Sequence, residues 1–288
     1  MTKTSKITLA VLGVIIVALV GGYLGAGLCG GSSASAGGAG VSGNGAFLQK
    51  IKDQGELRVG VALAPPMTAQ QPDGTLGGPN LIPLQELATE LGVKLTPVPA
   101  DWSNIVAGLQ AGRYDFAANL DATVERSLAI QFTDPVYEYQ GVLVTKTDAP
   151  YRTLEDVLAS GQPIATAQGS APEATLKNLG VNVQSIDNYT NAIATVQAGR
   201  AAAEFTDLPT AEAQAQADPT LKIIVPEPAL YSATANYGVP STADQWSLQT
   251  VNIAIQRAKD SGRLAKAYQD VNYFDVENLP SNLVKQAS

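Results

Sequence analysis

The stretch ANLDATVERSLAIQFTDPVYEY, Ala118 to Tyr139, reads as a strand end, a polar turn, a short helix start and a second strand. Asn119, Asp121, Thr123 and Arg126 gather at the turn, and each is a side chain able to hold a ligand. The apolar run from Tyr114 to Leu120 predicts the strand. Asp121 and Thr123 are types that cap helix N-termini, so a helix is predicted to start at Thr123 with Glu125 and Arg126 in its first turn. A cation there opposes the helix dipole, which makes Arg126 badly placed for stability alone. Beside free helix N–H groups, however, a guanidinium fork matches a carboxylate bidentately. The other reading is a solvated surface arginine.

Outward from this turn the chain alternates strand and helix patterns. Leu57 to Leu63 is predicted as a strand, Leu81 to Leu91 as a helix with apolar residues at helical spacing, and Lys94 to Pro99 as a second strand. A helix over 103–111, capped by Ser103 and stopped at Gly112, leads into the strand before the turn. Such alternation argues for an α/β sheet with right-handed crossovers. The run Asn104-IVAGLQAG-Arg113 is echoed by Asn191-AIATVQAG-Arg200, and the segments that follow end in Asp121 and Asp207. Ligands in open α/β sheets sit beyond the carboxyl ends of strands. Two similar lobes would each present an aspartate to a shared cleft; convergent helix-cap composition is the alternative.

Between these copies, Gln140 to Thr145 would carry the chain from one lobe to the other. Thr153 is predicted to cap a helix through Leu158, and Pro163 to Ala167 is predicted as a strand. Gln168-Gly169-Ser170-Ala171-Pro172-Glu173 then describes a strand-to-helix turn with exposed N–H groups and Pro172 first in the helix. Leu221 to Val225 is a further strand, and residues up to Val239 form a return crossover. Ser241 or Thr242 is predicted to cap a helix through Lys259, after which Gly262 breaks the chain and Arg263 to Tyr268 starts another helix.

The N-terminus precedes any folded domain. Lys3 and Lys6 are followed by an uncharged stretch from Ile7 to Leu28 that reads as an export signal, with Cys29 directly behind it. Three outcomes fit: lipidation of Cys29, cleavage after Ala34-Ser35-Ala36, or retention as an anchor, for which the stretch is just long enough. Residues 30–46 are Gly/Ser-rich and read as a flexible linker, whose G-x-G-x-x-G match (Gly38, Gly40, Gly43) follows no strand and is not a dinucleotide site. At 45% hydrophobic and 15% charged residues the chain is globular, and a net charge of −8 argues against nucleic acid as a partner. It has no histidine, so the usual general base and the commonest metal ligand are missing, and no metal or other cofactor is expected. Cys29 is the single cysteine, which rules out an intrachain disulfide.

The run Thr123-VERSLAIQFTDPV-Tyr137 resembles the T-x-E-R…F-[ST]-x-P-Y signature of the bacterial extracellular solute-binding proteins of the polar amino-acid family. It departs in Val124, where proline is common, and in Val136, which separates Pro135 from Tyr137. The likeness extends from about Gly55 to about Phe274. It implies a type 2 periplasmic-binding-protein clamshell with two crossover strands as hinge, lobe one from 47–140 and 233–288, and lobe two from 141–232. It also implies an amino acid or related zwitterion as ligand, an ABC permease as partner and a monomeric state; the leader read above adds a place at the outer face of the cell membrane, with tethering by the N-terminus ranked above free release. Arg126 would take the ligand carboxylate with Thr123, Gly169 and Ser170, although Ala171 stands where a second hydroxyl is often found. Asp207 and Asp121 would take the ammonium, and Trp102 would pack on the ligand. Asn119 belongs to the same group. One cation against two carboxylates hints at a ligand with an extra positive charge or an extra hydrogen-bond donor, unless Glu173 and Arg200 rebalance the site. Near Ala64 to Met67 an aromatic is often found, and Met67 is the sizeable candidate here; Gly78-Pro79-Asn80 replaces the expected G-F-D. Relatives on this scaffold include dehydratases of the cyclohexadienyl type, for which Glu173, Glu204 or Glu212 could act as acid or base.

Overall fold

A computed structural model describes residues 45–273, so the leader, Cys29, most of the linker and residues 274–288 lie outside it. The strands are β1 (Glu56–Val61), β2 (Ala69–Gln70), β3 (Leu76–Gly77), β4 (Lys94–Pro99), β5 (Phe116–Asp121), β6 (Ile130–Phe132), β7 (Tyr137–Lys146), β8 (Ile164–Ala167), β9 (Val183–Ile186), β10 (Ala203–Asp207), β11 (Leu221–Ile224) and β12 (Ser232–Pro240). They run β4-β1-β5-β12-β7-β10-β8-β9, with β6 on β12 and β11 on β7; β2 and β3 form a separate small ladder. β1 pairs in parallel with β4 and β5, and β8 in parallel with β9 and β10, as helical crossovers require.

β7 divides the molecule. Its first part, Tyr137 to Gln140, lies antiparallel to Ala235 to Ser232 of β12. From Gly141 onward it pairs instead with β10 and β11. The chain leaves the first lobe along β7 and returns through β12, and Gly141 N–H donates to Tyr231 C=O at 2.8 Å where the two crossings meet. This is the two-lobed type 2 clamshell, and the expected crossover stretches 140–145 and 226–239 fall on β7 and on the path into β12.

Each lobe buries its own apolar layers. In the first, Leu57, Val59, Phe116 and Tyr237 lie under helices Ala46–Gln54, Ile82–Leu91 and Gln245–Asp260 through Ile51, Leu84, Leu87, Val251 and Ile255. Each such side chain contributes about 1.5–3 kcal/mol on burial. The opposite face is filled by Ile105, Leu109, Tyr114, Leu120 and Ile130. In the second lobe Val142, Val144 and Leu208 pack on one face of the sheet and Leu143, Leu176 and Phe205 on the other, the alternation expected of strands covered on both sides.

The two echoed segments form the same unit. Helices Ile105–Gln110 and Tyr189–Gln197 both end at a left-handed glycine, Gly112 (φ 68°) and Gly199 (φ 69°). In each case the next arginine N–H turns back onto the helix, Arg113 to Gly108 C=O and Arg200 to Thr195 C=O, both at 3.0 Å. The strand that follows each one, β5 or β10, ends in an aspartate.

Four local expectations are corrected, and one element is added. Asn104, not Ser103, stands at the N-cap of Ile105–Gln110, because Asp101 and Asn104 close a turn that occupies Ser103. β5 begins at Phe116 rather than Tyr114, since the Asp115 carboxylate is drawn to Arg58 N–H and guanidinium. Asp244, not Ser241 or Thr242, caps Gln245–Asp260, which runs one residue past Lys259. Pro172 is the second helical residue of Ala171–Asn178, behind the Ser170 cap. A helix also precedes β1, Ala46–Gln54, and its first turn is held by Asp244.

Candidate ligand-binding site

The turn after β5 is built as its sequence dictates. Thr123 caps the short helix Val124–Ser127 by accepting Arg126 N–H at 3.2 Å. Asn119 adopts φ 60°, a left-handed conformation that asparagine tolerates better than most residues. It is held there by Tyr137 Oη, which donates to Asn119 Oδ1 at 2.6 Å, and by Asn80 Nδ2 at 3.3 Å.

In the second lobe Ser170 caps helix Ala171–Asn178, its Oγ accepting Glu173 N–H at 3.2 Å. Asp207 caps helix Leu208–Ala217 and accepts Thr210 N–H at 2.8 Å and Thr210 Oγ–H at 3.0 Å.

These two turns face each other across one small pocket. Asn119, Asp121, Ser170 and Asp207 line it, all buried. Trp102, Ala64 and three tyrosines, Tyr137, Tyr139 and Tyr189, supply the rest of the wall. The Trp102 and Tyr189 rings meet edge to face at 6.4 Å. Burial pushes the Asp121 carboxyl up, against the pull of Arg126 and the hydrogen bonds from Tyr139 and Tyr231. Burial raises Asp207 to about 6, opposed by its bonds from Thr210 and reinforced by the Asp121 charge. Burial, with the nearby carboxylates, carries the hydroxyls of Tyr137, Tyr139 and Tyr189 well above the ordinary tyrosine range, so they are hydrogen-bond donors at any physiological pH.

Arg126 stands at the edge of this cavity rather than in its wall. Its Nη1 donates to Asp121 C=O at 3.2 Å and lies 3.9 Å from Asp121 Oδ2; its Nη2 donates to Gly169 C=O at 3.1 Å. The guanidinium thus ties the two turns together across the cleft. Gly169 (φ 79°) approaches the backbone of the first lobe so closely that a Cβ there would fall 2.4 Å from Ser103 Cα. The turn is braced from behind by Glu173, which accepts Gly169 N–H at 2.8 Å, pairs with Lys177 at 2.7 Å and accepts the Ser185 hydroxyl. Burial raises the Glu173 carboxyl, but the bonds from Lys177, Ser185 and Gly169 outweigh it and hold the group below its usual value.

The structure therefore brings together Asn119, Asp121, Trp102, Ser170 and Asp207, and places Arg126, Thr123 and Gly169 beside them. Met67 is not in the wall: it is fully buried in the first lobe's core, and Ala64 occupies the position facing the cavity. Glu173, Glu204 and Glu212 do not line the cavity either. None of the tyrosines at the site is among the site residues expected from the sequence. Tyr137 and Tyr139 carried a usable signal, since residues two apart on a strand share a face. Tyr189 and Tyr231 carried none, because they reach the site from distant elements. Among the described residues no group of three or more metal-ligating side chains is assembled.

A two-lobed α/β clamshell with a polar cavity between strand ends is the architecture of a small-molecule binder. The chain belongs to the bacterial extracellular solute-binding proteins, family 3, matching over residues 57–274. It is 30% identical over 168 residues to the L-cystine-binding protein TcyJ of Escherichia coli (strain K12), covering 56% of this chain and 62% of that protein. It is 26% identical over 230 residues to the L-cystine-binding protein TcyA of Bacillus subtilis (strain 168), covering 77% and 83%. A cyclohexadienyl dehydratase of Pseudomonas aeruginosa is 27% identical over 214 residues, covering 69% and 79%. Among solved structures, a mutant of ArgBP from T. maritima superposes with a TM-score of 0.72 at 26% identity, covering 78% of this chain and 99% of that one.

Proposed function

We propose that the protein is the extracytoplasmic solute-binding component of an ABC importer, and that it takes an amino acid or a related small zwitterion between its lobes. The observation that carries this reading is the meeting of two strand-end carboxylates, Asp121 from one lobe and Asp207 from the other, in a single aromatic-walled cavity. Membership of the family and the cystine- and arginine-binding relatives support it.

In this reading lobe one comprises 47–140 and 233–288, and lobe two 141–232. Asp207 and Asp121 receive the ammonium. Arg126, once it exchanges the Gly169 carbonyl for the ligand, receives the carboxylate with Thr123 and Ser170; Asn119 and Gly169 shape the floor, and Trp102 the wall. Solute that binds the closed arrangement better than the open one shifts the population toward closure, and the closed form is what a membrane permease collects. The protein acts as a monomer at the outer face of the membrane, tethered through its N-terminus, by Cys29 or by the retained leader.

It is not an enzyme in this reading, because Glu173 is consumed in bracing a turn and neither Glu204 nor Glu212 faces the cavity. The dehydratase relative and the raised Asp207 carboxyl favour the second reading, a cyclohexadienyl-dehydratase-like activity with Asp207 as the acid. A thermal-shift screen of the full-length chain against amino acids and small zwitterions separates the two. A solute at a hundred times its dissociation constant adds about 2.7 kcal/mol of stability. No shift with any of them, together with turnover of a cyclohexadienyl substrate, would replace the binder by the enzyme.

A further inference from the structure

The charges around the cavity do not balance for a neutral zwitterion. Asp121 and Asp207 both line it, and no lining side chain is a cation. The Arg126 charge is met from its own turn, with Asp121 Oδ2 at 3.9 Å, and both of its terminal nitrogens already bond backbone carbonyls. Asp207 accepts the N–H and hydroxyl of Thr210, and no ion pair reaches it among the described residues. One buried negative charge is therefore left without a cation to answer it, and an unpaired buried charge is unfavourable. Trp102, Tyr137, Tyr139 and Tyr189 make up the rest of the polar pocket's wall, and none of them adds a positive charge.

From this cavity, and resting on the binding reading above, we infer that the solute carries one net positive charge, its cationic group held by Asp207 and Asp121 between aromatic walls. A neutral amino acid leaves the Asp207 charge unanswered. A monocation cancels it, whether it is an amino acid with a basic side chain or an amine with no free carboxylate.

Two probe pairs of shared skeleton test this on the full-length chain by calorimetry near pH 7: L-arginine against L-citrulline, and L-alaninamide against L-alanine. Within each pair one member is a cation and the other is neutral overall. The wild-type protein is expected to bind the charged member of the pair that fits about thirtyfold or more tightly than the neutral one. Asp207→Asn, which keeps an N-cap side chain and so preserves the helix start, is expected to lose that preference and to favour the neutral member. Preference of the wild type for the neutral member, or an unchanged preference in Asp207→Asn, overturns the inference and leaves the binding reading standing. Binding of none of the four probes overturns the inference, while the binding reading is decided by the thermal-shift screen above.

Discussion

Replacing Asp244 by alanine strips four hydrogen bonds from two helix starts at once. Its Oδ1 accepts Gly45 N–H at 3.0 Å and Ser247 N–H at 2.9 Å, and its Oδ2 accepts Phe47 N–H at 2.9 Å and Ser247 Oγ–H at 2.7 Å. Ser247, so held, accepts Leu48 N–H at 3.1 Å. Loss of an N-cap alone costs about 0.5–2 kcal/mol. Hydrogen bonds to a charged acceptor add about 1.5–3 kcal/mol where water cannot replace them, and Asp244 is partly exposed, so a total of about 2–4 kcal/mol is expected. For a domain of this size that lowers Tm by about 5–12 °C. The measurement is urea unfolding of the full-length chain and the Asp244→Ala variant at pH 7 and at pH 3. Despite its burial, the bonds from Phe47, Ser247 and Gly45 hold the Asp244 carboxyl far below its ordinary value. A depressed folded value gives stability that is present above about pH 4 and drains away as the pH falls further, so the gap between the proteins should narrow at pH 3. A gap under about 0.5 kcal/mol at pH 7, or one that ignores pH, would refute the idea that this carboxylate fastens helix Ala46–Gln54 to helix Gln245–Asp260.

Two further outcomes concern the cleft. Gly169→Ala would set a methyl group 2.4 Å from Ser103 Cα and 2.5 Å from Ser103 N. Backbone cannot yield as a flexible side chain does, so the closed form should lose about 1–3 kcal/mol relative to an open one. Affinity for L-arginine or L-alaninamide, whichever the wild type binds, should fall by about 5–150-fold, and unchanged affinity would mean that residues 169 and 103 do not approach in the liganded state. In solute-free protein, burial raises the Asp207 carboxyl to about 6, with Asp121 adding to the effect. A raised folded value means stability that is full below about pH 4 and is lost as the pH rises through about 6. Asp207→Asn should therefore be more stable than wild type at pH 7 by about 1–3 kcal/mol and no more stable at pH 4; equal stability at pH 7 would show that this carboxylate is not desolvated.

What could be read in the sequence was local. Thr123 as a cap and the glycine stop at 112 depend on residues within a few positions of one another and took the expected form, and each echoed segment leads into a strand that ends in its aspartate, Asp121 or Asp207. The errors arose where a distant segment decided the outcome. Asp244 wins the cap over Ser241 and Thr242 because it also satisfies the helix that begins at Ala46, and the latter was hidden behind a glycine-rich tract. Met67 is drawn into the core by Leu81 and its neighbours, and no local pattern distinguishes that from a wall position. Arg126 is legible as a ligand-grade fork, but its bond to Gly169 joins residues 43 apart in the chain, and such a contact has no local signature.

The central position of β12 sets a timetable for biosynthesis. β12 lies between β5 and β7 in the sheet yet is made roughly 110 residues after β5 ends. At about 5–20 residues per second, the emerging first lobe waits on the order of ten seconds with one side of β5 unpaired, while the second lobe can finish its own sheet. An open strand edge is a template for unwanted pairing. A nascent chain truncated after Leu230 should accordingly show amide protection in β8 and β10 but not in β5; protection of β5 there would show that the first lobe closes without its central strand. Until β12 arrives, the Asp121 turn has no frame to sit in, so the cleft cannot form on a half-made protein.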